Sequence, residues 1–140
     1  MNQAPPKPSV LFVCAKNGGK SQMAAALMRD LAGEDVLVYS AGTKPGKELN
    51  PQSVESLREI GVKVGGEYPK PIADDVLSQV DAVVILGSEA KLEPQPGRRC
   101  EVWETDEPST RGIEGMERMR LVRDDIRRRV EQLHRELTAG

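Results

Sequence analysis

Val10-Leu11-Phe12-Val13-Cys14-Ala15-Lys16-Asn17-Gly18-Gly19-Lys20-Ser21 is the stretch that decides the fold. Four apolar residues in a row, two of them β-branched, read as a buried strand over Ser9–Cys14. The run that follows, Gln22-Met23-Ala24-Ala25-Ala26-Leu27-Met28, reads as a helix. A thiol therefore sits where a strand ends and a glycine-rich turn leads to a helix N-terminus. That geometry aims backbone N–H groups and the positive end of a helix dipole at one spot. Such a spot suits a tetrahedral oxyanion and favours a thiolate over a thiol. Asn17, Gly18 and Gly19 tolerate the positive φ that a tight curl needs. Lys20 adds a positive charge, and the Ser21 hydroxyl can donate to sulfur or cap the helix. The residues Ala15, Lys16, Asn17, Gly18, Gly19, Lys20 and Ser21 are thus the expected oxyanion nest around a nucleophilic Cys14. A nucleotide-binding P-loop does not fit, because its first glycine would fall at the position of Cys14.

Outward from this stretch the chain alternates strands and helices. A helix over Ser21 to about Leu31 presents Ala24, Leu27, Met28 and Leu31 inward and stops near Gly33. Val36–Ser40 reads as a second strand. Asn50-Pro51 supplies an N-cap and a first-turn proline for a helix with Val54, Leu57 and Ile60 on one face. A short helix starts near Asp74 or Asp75, a third strand covers Asp81–Leu86, and Cys100–Trp103 is a weaker fourth. Met116, Met119, Val122, Ile126, Val130, Leu133 and Leu137 recur at steps of three and four, defining one long amphipathic helix. The order predicts an α/β chain with a parallel sheet and helices on both faces. In that architecture ligands bind beyond the carboxyl ends of the strands, where Cys14 lies.

A length of 140 residues predicts one domain over residues 9–140, preceded by a disordered N-terminal tail over residues 1–8. The formal net charge of −2 argues against nucleic acid or anionic membrane as a partner. No apolar stretch is long enough to span a membrane. Two cysteines imply no disulfide framework and suit a reducing, cytoplasmic setting. No cluster of residues has metal-ligand spacing. Lys91–Arg99, with Pro94 and Pro96, reads as an irregular loop. His134 and the run Arg127-Arg128-Arg129 read as solvated residues of the last helix.

Cys14-x5-Lys20-Ser21 after the first strand, Ser40-Ala41-Gly42-Thr43 after the second, and Trp103-Glu104-Thr105-Asp106-Glu107-Pro108 late in the chain resemble the low-molecular-weight protein tyrosine phosphatase fold. Ser21-Gln22-Met23-Ala24-Ala25 is similar to the arsenate reductase branch of that fold. Together with Gly115-Met116-Glu117-Arg118-Met119-Arg120 it looks like the mycothiol-dependent reductases of actinobacteria. The resemblance implies a three-layer α/β/α fold with a four-stranded parallel sheet, and Cys14 attacking arsenate held in the nest. It implies an acid just before the proline, for which Asp106 and Glu107 both remain candidates. It also implies Ser40 and Thr43 beneath the loop.

Three departures from the family pattern bear on the activity. Most members carry arginine where this chain has Lys20, which cannot offer a planar fork to a phosphoryl group in flight. Aromatic residues that would wall a phosphotyrosine ring are scarce: Phe12, Tyr39, Tyr68 and Trp103 are all there are. Thioredoxin-coupled members carry two further cysteines after the third strand, whereas Gly87–Pro94 here has none. Cys100, the other thiol, reads as a small buried strand residue. The resemblance therefore implies an external thiol: mycothiol as co-substrate with a mycoredoxin-like redox protein as partner, and no bound cofactor. A low-molecular-weight phosphatase and a non-catalytic oxyanion-binding regulator are the competing expectations.

Overall fold

The computed structural model describes residues 7–93 and 95–139. The tail expected over residues 1–8 lies outside them except for Lys7 and Pro8, as does Pro94 of the irregular loop. Strand β1 (Ser9–Cys14) is buried along its whole length. It lies between β2 (Leu37–Gly42) and β3 (Ala82–Leu86), and β4 (Arg99–Trp103) completes a four-stranded sheet of order β2-β1-β3-β4 with every pair parallel. Parallel neighbours need crossovers: α1 (Lys20–Ala32) lies between β1 and β2, α2 (Pro51–Arg58) and α3 (Asp74–Gln79) between β2 and β3, a loop joins β3 to β4, and α4 (Gly115–Thr138) follows the last strand.

Alternation along β1 sorts the core into two layers. Val10, Phe12 and Cys14 face α1, α2 and α4, packing with Met23, Leu27, Leu57, Ile126 and Val130. Leu11 and Val13 face the other way, with Val83 and Ile85, toward Val76 and Leu77 of α3. The expected three-layer α/β/α arrangement is what forms. Phe12 and Trp103 lie tilted against each other on the α4 side, ring centroids 5.8 Å apart.

The element expectations hold with local corrections. Asn50 caps α2 as expected, its Oδ1 accepting from the N–H groups of Gln52 and Ser53 at 2.9 and 3.2 Å. Strand β2 runs on to Gly42, because pairing with β1 continues as far as Cys14. Leu31, expected inward, is 43% exposed, while its neighbour Ala32 turns into the core instead. Cys100, expected buried, is exposed: β4 is an edge strand and only its final residue, Trp103, is buried. His134 is half-buried rather than solvated. A short 3-10 turn over Pro108–Arg111 had no counterpart in the sequence reading. Among the described residues no helix is long and apolar enough to cross a membrane.

Candidate active site

Strand β1 ends at Cys14, and the chain curls through residues 15–19 before α1 begins at Lys20, one residue earlier than expected. Asn17 takes the left-handed conformation that makes the curl possible, with φ of 53°. The carbonyls of the curl are taken from outside. Cys14 O accepts from Thr43 N–H, Ala15 O from Lys44, Lys16 O from Gly46 and Gly18 O from Asn50, at 2.7–3.2 Å. With the carbonyls of Cys14, Ala15, Lys16 and Gly18 engaged from outside, the amides of the curl are left for an anion nest. The fit is close at Gly42, where any Cβ would come within 2.7 Å of Ala15 O.

Beneath the curl a polar network fixes the sulfur. Asn17 N–H donates to Cys14 Sγ at 3.2 Å, and Ser21 Oγ lies 2.8 Å from the same sulfur. Asn17 Nδ2 donates to Ser21 Oγ at 2.7 Å, which leaves the hydroxyl proton free to point at sulfur. Asn17 Oδ1 in turn accepts from Lys70 N–H at 3.0 Å and from Gln22 Nε2 at 3.2 Å, and Gln22 Nε2 also reaches Tyr68 O. Asn17 and Ser21 are fully buried, so these bonds form out of competition with water. Lys70 Nζ reaches Ser40 Oγ at 3.4 Å, and Thr43 joins through its backbone. This buttress from residues 66–71 was not legible in the sequence.

Above the sulfur opens a cleft of about 600 Å³. Cys14, Ala15, Lys16, Gly19 and Lys20 form its floor, Leu86–Glu89 after β3 one wall, and Glu104, Thr105, Glu107 and Arg118 the other. Of the expected nest residues, Asn17, Gly18 and Ser21 do not line the cleft: Asn17 and Ser21 work from below. Thr105 Oγ1 is buried without a partner among the described residues. Among the described residues no three His, Cys, Asp or Glu side chains come together in a way that could hold a metal ion.

The structure separates the two acid candidates. Asp106 does not line the cleft. Its carboxylate is held by both nitrogens of the Arg111 fork at 2.8 and 3.0 Å, and that hydrogen bonding lowers its pKa. Glu107 does line the cleft but is clamped. Arg118 donates from Nε and Nη2 at 2.8 and 2.9 Å, Ser109 Oγ donates at 2.7 Å, and Lys20 Nζ stands 3.9 Å away. Arg118 is the largest cause, and together these pull Glu107 down to about 2. A carboxyl so held is ionised at neutral pH and carries no proton to give. Of the two expected acids, Glu107 is therefore the one that faces the cleft. Arg118, three residues into α4, was seen in the sequence only as part of a resemblance; its place beside Glu107 comes from the fold.

The second thiol is remote. Val13 lies level with Ile85 and Val102 across the sheet, so Cys14 is one residue further on, and Cys100 lies three residues back from that level along β4, two strands away. At about 3.3 Å per residue and about 4.8 Å per strand the separation is about 14 Å. A disulfide needs Cα atoms within about 7 Å, so Cys14 and Cys100 cannot join in this fold.

A family model described as low molecular weight phosphotyrosine protein phosphatase matches residues 9–140. Arsenate reductase 1 of Staphylococcus haemolyticus is 35% identical over 130 residues, covering 90% of this chain and 94% of the relative. Among solved structures, a thioredoxin-dependent arsenate reductase of Corynebacterium glutamicum superposes with a TM-score of 0.82 at 34% identity; the match covers 98% of this chain and 65% of that one. An arsenate reductase solved in the phosphate binding state superposes with a TM-score of 0.81 at 27% identity, covering 94% and 99%.

Proposed function

We propose that this chain, which belongs to the low molecular weight phosphotyrosine protein phosphatase family, is an arsenate reductase that hands its arsenic to an external thiol. The observation that carries the reading is the sulfur of Cys14, gripped by Asn17 N–H and Ser21 Oγ at a cleft that Cys14, Ala15, Lys16, Gly19 and Lys20 line. Similarity to arsenate reductases at 35% identity over nearly the full length supports the choice of substrate.

Arsenate rests in the nest from Ala15 to Ser21, its negative charge met by inward amides and Lys20. The Cys14 thiolate attacks arsenic; an As–O bond breaks, and the oxygen departs as water. With Glu107 and Asp106 ionised, the departing oxygen takes its proton from the oxyanion itself or from solvent. The adduct is a thiol ester of arsenic(V), still unreduced. A low-molecular-weight thiol then attacks arsenic and displaces Cys14, which returns to Ser21 as thiolate. Attack by a thiolate of a redox protein on the sulfur of that conjugate breaks the S–As bond. Two electrons pass to arsenic, giving arsenite, and the two sulfurs leave as a mixed disulfide.

About 14 Å of sheet separates Cys100 from Cys14, which supports a resolving thiol from outside. Mycothiol with a mycoredoxin-like protein is the reductant we assign, with no bound cofactor in the cycle. The Corynebacterium relative is thioredoxin-dependent, which makes thioredoxin the competing reductant. The test is arsenite production with mycothiol plus mycoredoxin, thioredoxin, or glutathione plus glutaredoxin supplied in turn. Turnover with the mycothiol pair well above the others is expected; turnover with thioredoxin alone at equal rate would overturn the assignment. Lys20 without a fork and Glu107 without a proton both speak against a phosphatase as the main activity.

A further inference from the structure

The loop after β2 builds a second depression beside the nest. Its N–H groups at Lys44, Gly46 and Asn50 hold the carbonyls of Ala15, Lys16 and Gly18 at 2.7–2.9 Å, so the loop is fixed to the curl. Gly46 packs on Lys16, where an added Cβ would meet the Lys16 Cβ at 3.7 Å. Between loop and curl runs a groove of about 640 Å³, and Lys16, Gly19 and Asn50 line both it and the cleft over Cys14. Lys16, Lys44 and Lys47 line this groove with one carboxylate, Glu48, and all four are exposed. Lys20 and Lys70 have carboxylate partners at 3.9 and 3.2 Å, whereas among the described residues Lys16, Lys44 and Lys47 form no ion pair.

The cleft by itself is electrically balanced, with Lys16, Lys20 and Arg118 set against Glu89, Glu104 and Glu107. The imbalance lies in the groove, three lysines to one glutamate, on a chain whose formal net charge is −2. A tetrahedral oxyanion with two negative charges is repelled on the glutamate side and attracted on the lysine side. We propose that Lys16, Lys44 and Lys47 form the entry groove for the oxyanion, drawing arsenate in along the loop after β2 and on to Cys14. The inference rests on the reading of Cys14 as a nucleophile toward arsenate. The lysines meet the anion on its way in and not at the reacting atoms, so they act on the Michaelis constant and leave kcat to the nest. They select charge and not element, so phosphate is drawn in equally and competes.

Coulomb's law sets the size of the effect. A unit charge about 10 Å from a dianion in water changes the local concentration of that dianion about 4-fold, and of a monoanion about 2-fold. Such an attraction reaches about 30 Å at an ionic strength of about 0.01 M and only about 3 Å at about 1 M. Loss of two lysines should therefore lower arsenate kcat/KM on the order of 10-fold in low salt and hardly at all near about 1 M.

The test is alkylation of Cys14 by iodoacetate, an anion, and by iodoacetamide, its neutral counterpart, at low and high salt. With Cys100→Ser in every protein, Cys14 is the one thiol that can react. Lys44→Gln with Lys47→Gln should lower the iodoacetate rate about 4-fold in low salt and leave the iodoacetamide rate where it was. Glu48→Gln should raise the iodoacetate rate about 2-fold, a gain that damage to the loop would not produce. Lys44→Arg with Lys47→Arg, which keeps both charges, should keep the ratio of the two rates. Arsenate KM and phosphate inhibition should weaken together in the glutamine pair. An unchanged ratio in that pair, a loss shared equally by iodoacetamide, or a loss that persists at about 1 M salt overturns the proposal. Alkylation needs no arsenate chemistry, so the result stands apart from arsenite production by the unsubstituted protein, which bears on the reductase reading alone.

Discussion

The chemistry of this molecule is concentrated in a few atoms beneath Cys14. Ser21 Oγ accepts a hydrogen bond from Asn17 Nδ2 and so has its own proton to direct at sulfur. A hydrogen bond to a charged group contributes about 1.5–3 kcal/mol, so Ser21→Ala should slow arsenate thiolation by about 10–100-fold. The Michaelis constant should move little, because amides and Lys20 still hold the oxyanion; initial rates against arsenate concentration separate the two. Gly42→Ala acts through space rather than charge. Its Cβ would sit 2.7 Å from Ala15 O and 3.0 Å from Asn17 N, so the curl itself must shift. Overpacking of that kind costs about 1–3 kcal/mol, readable as a lower urea midpoint together with lost turnover. The thiol, the glycines, Lys20 and Ser21 could be read from sequence because they are contiguous. Asn17 was read as a nest residue, but its side chain proves to be the hub between Ser21, Gln22 and Lys70. Nothing local announces a contact made 53 positions away.

At the scale of elements, α4 does more than cover the sheet. Arg123, 8% exposed, donates to Ser56 O at 2.8 Å and to Glu59 at 2.9 Å, while Arg120 grips Glu59 from the same helix. The carboxyl end of α2 is thus tied to α4 by cations set against its last carbonyls. Arg123→Met would leave the Ser56 carbonyl unpaired and should cost about 2 kcal/mol in chemical denaturation. The amphipathic stripe of α4 was legible from its steps of three and four; these arginines, on the polar side of the pattern, were not. The clamp on Glu107 carries a pH signature. Its folded pKa of about 2 lies below the ordinary 4.5, so the clamp stabilises the fold above pH 4.5 and loses that effect as pH falls toward 2. Denaturation midpoints of the unsubstituted protein should fall more steeply across that window than those of Arg118→Met. Parallel slopes would mean that the carboxylate is not held.

Over the whole molecule, the parallel sheet was legible because its central strands are continuous apolar runs, which only burial on both faces explains. Cys100 was misread for the same reason in reverse. It sits in a strand pattern, but strand order puts β4 at an edge, and order is set by pairing that no single segment encodes. That placement sets the second thiol two strands away from the first, which supports the proposal of a thiol from outside. The most direct check is arsenite production with mycothiol and mycoredoxin by the unsubstituted protein, Cys14→Ser and Cys100→Ser. Full activity in Cys100→Ser with none in Cys14→Ser is expected. Arsenite formed by Cys14→Ser, or lost in Cys100→Ser, would contradict a single nucleophilic sulfur resolved from outside.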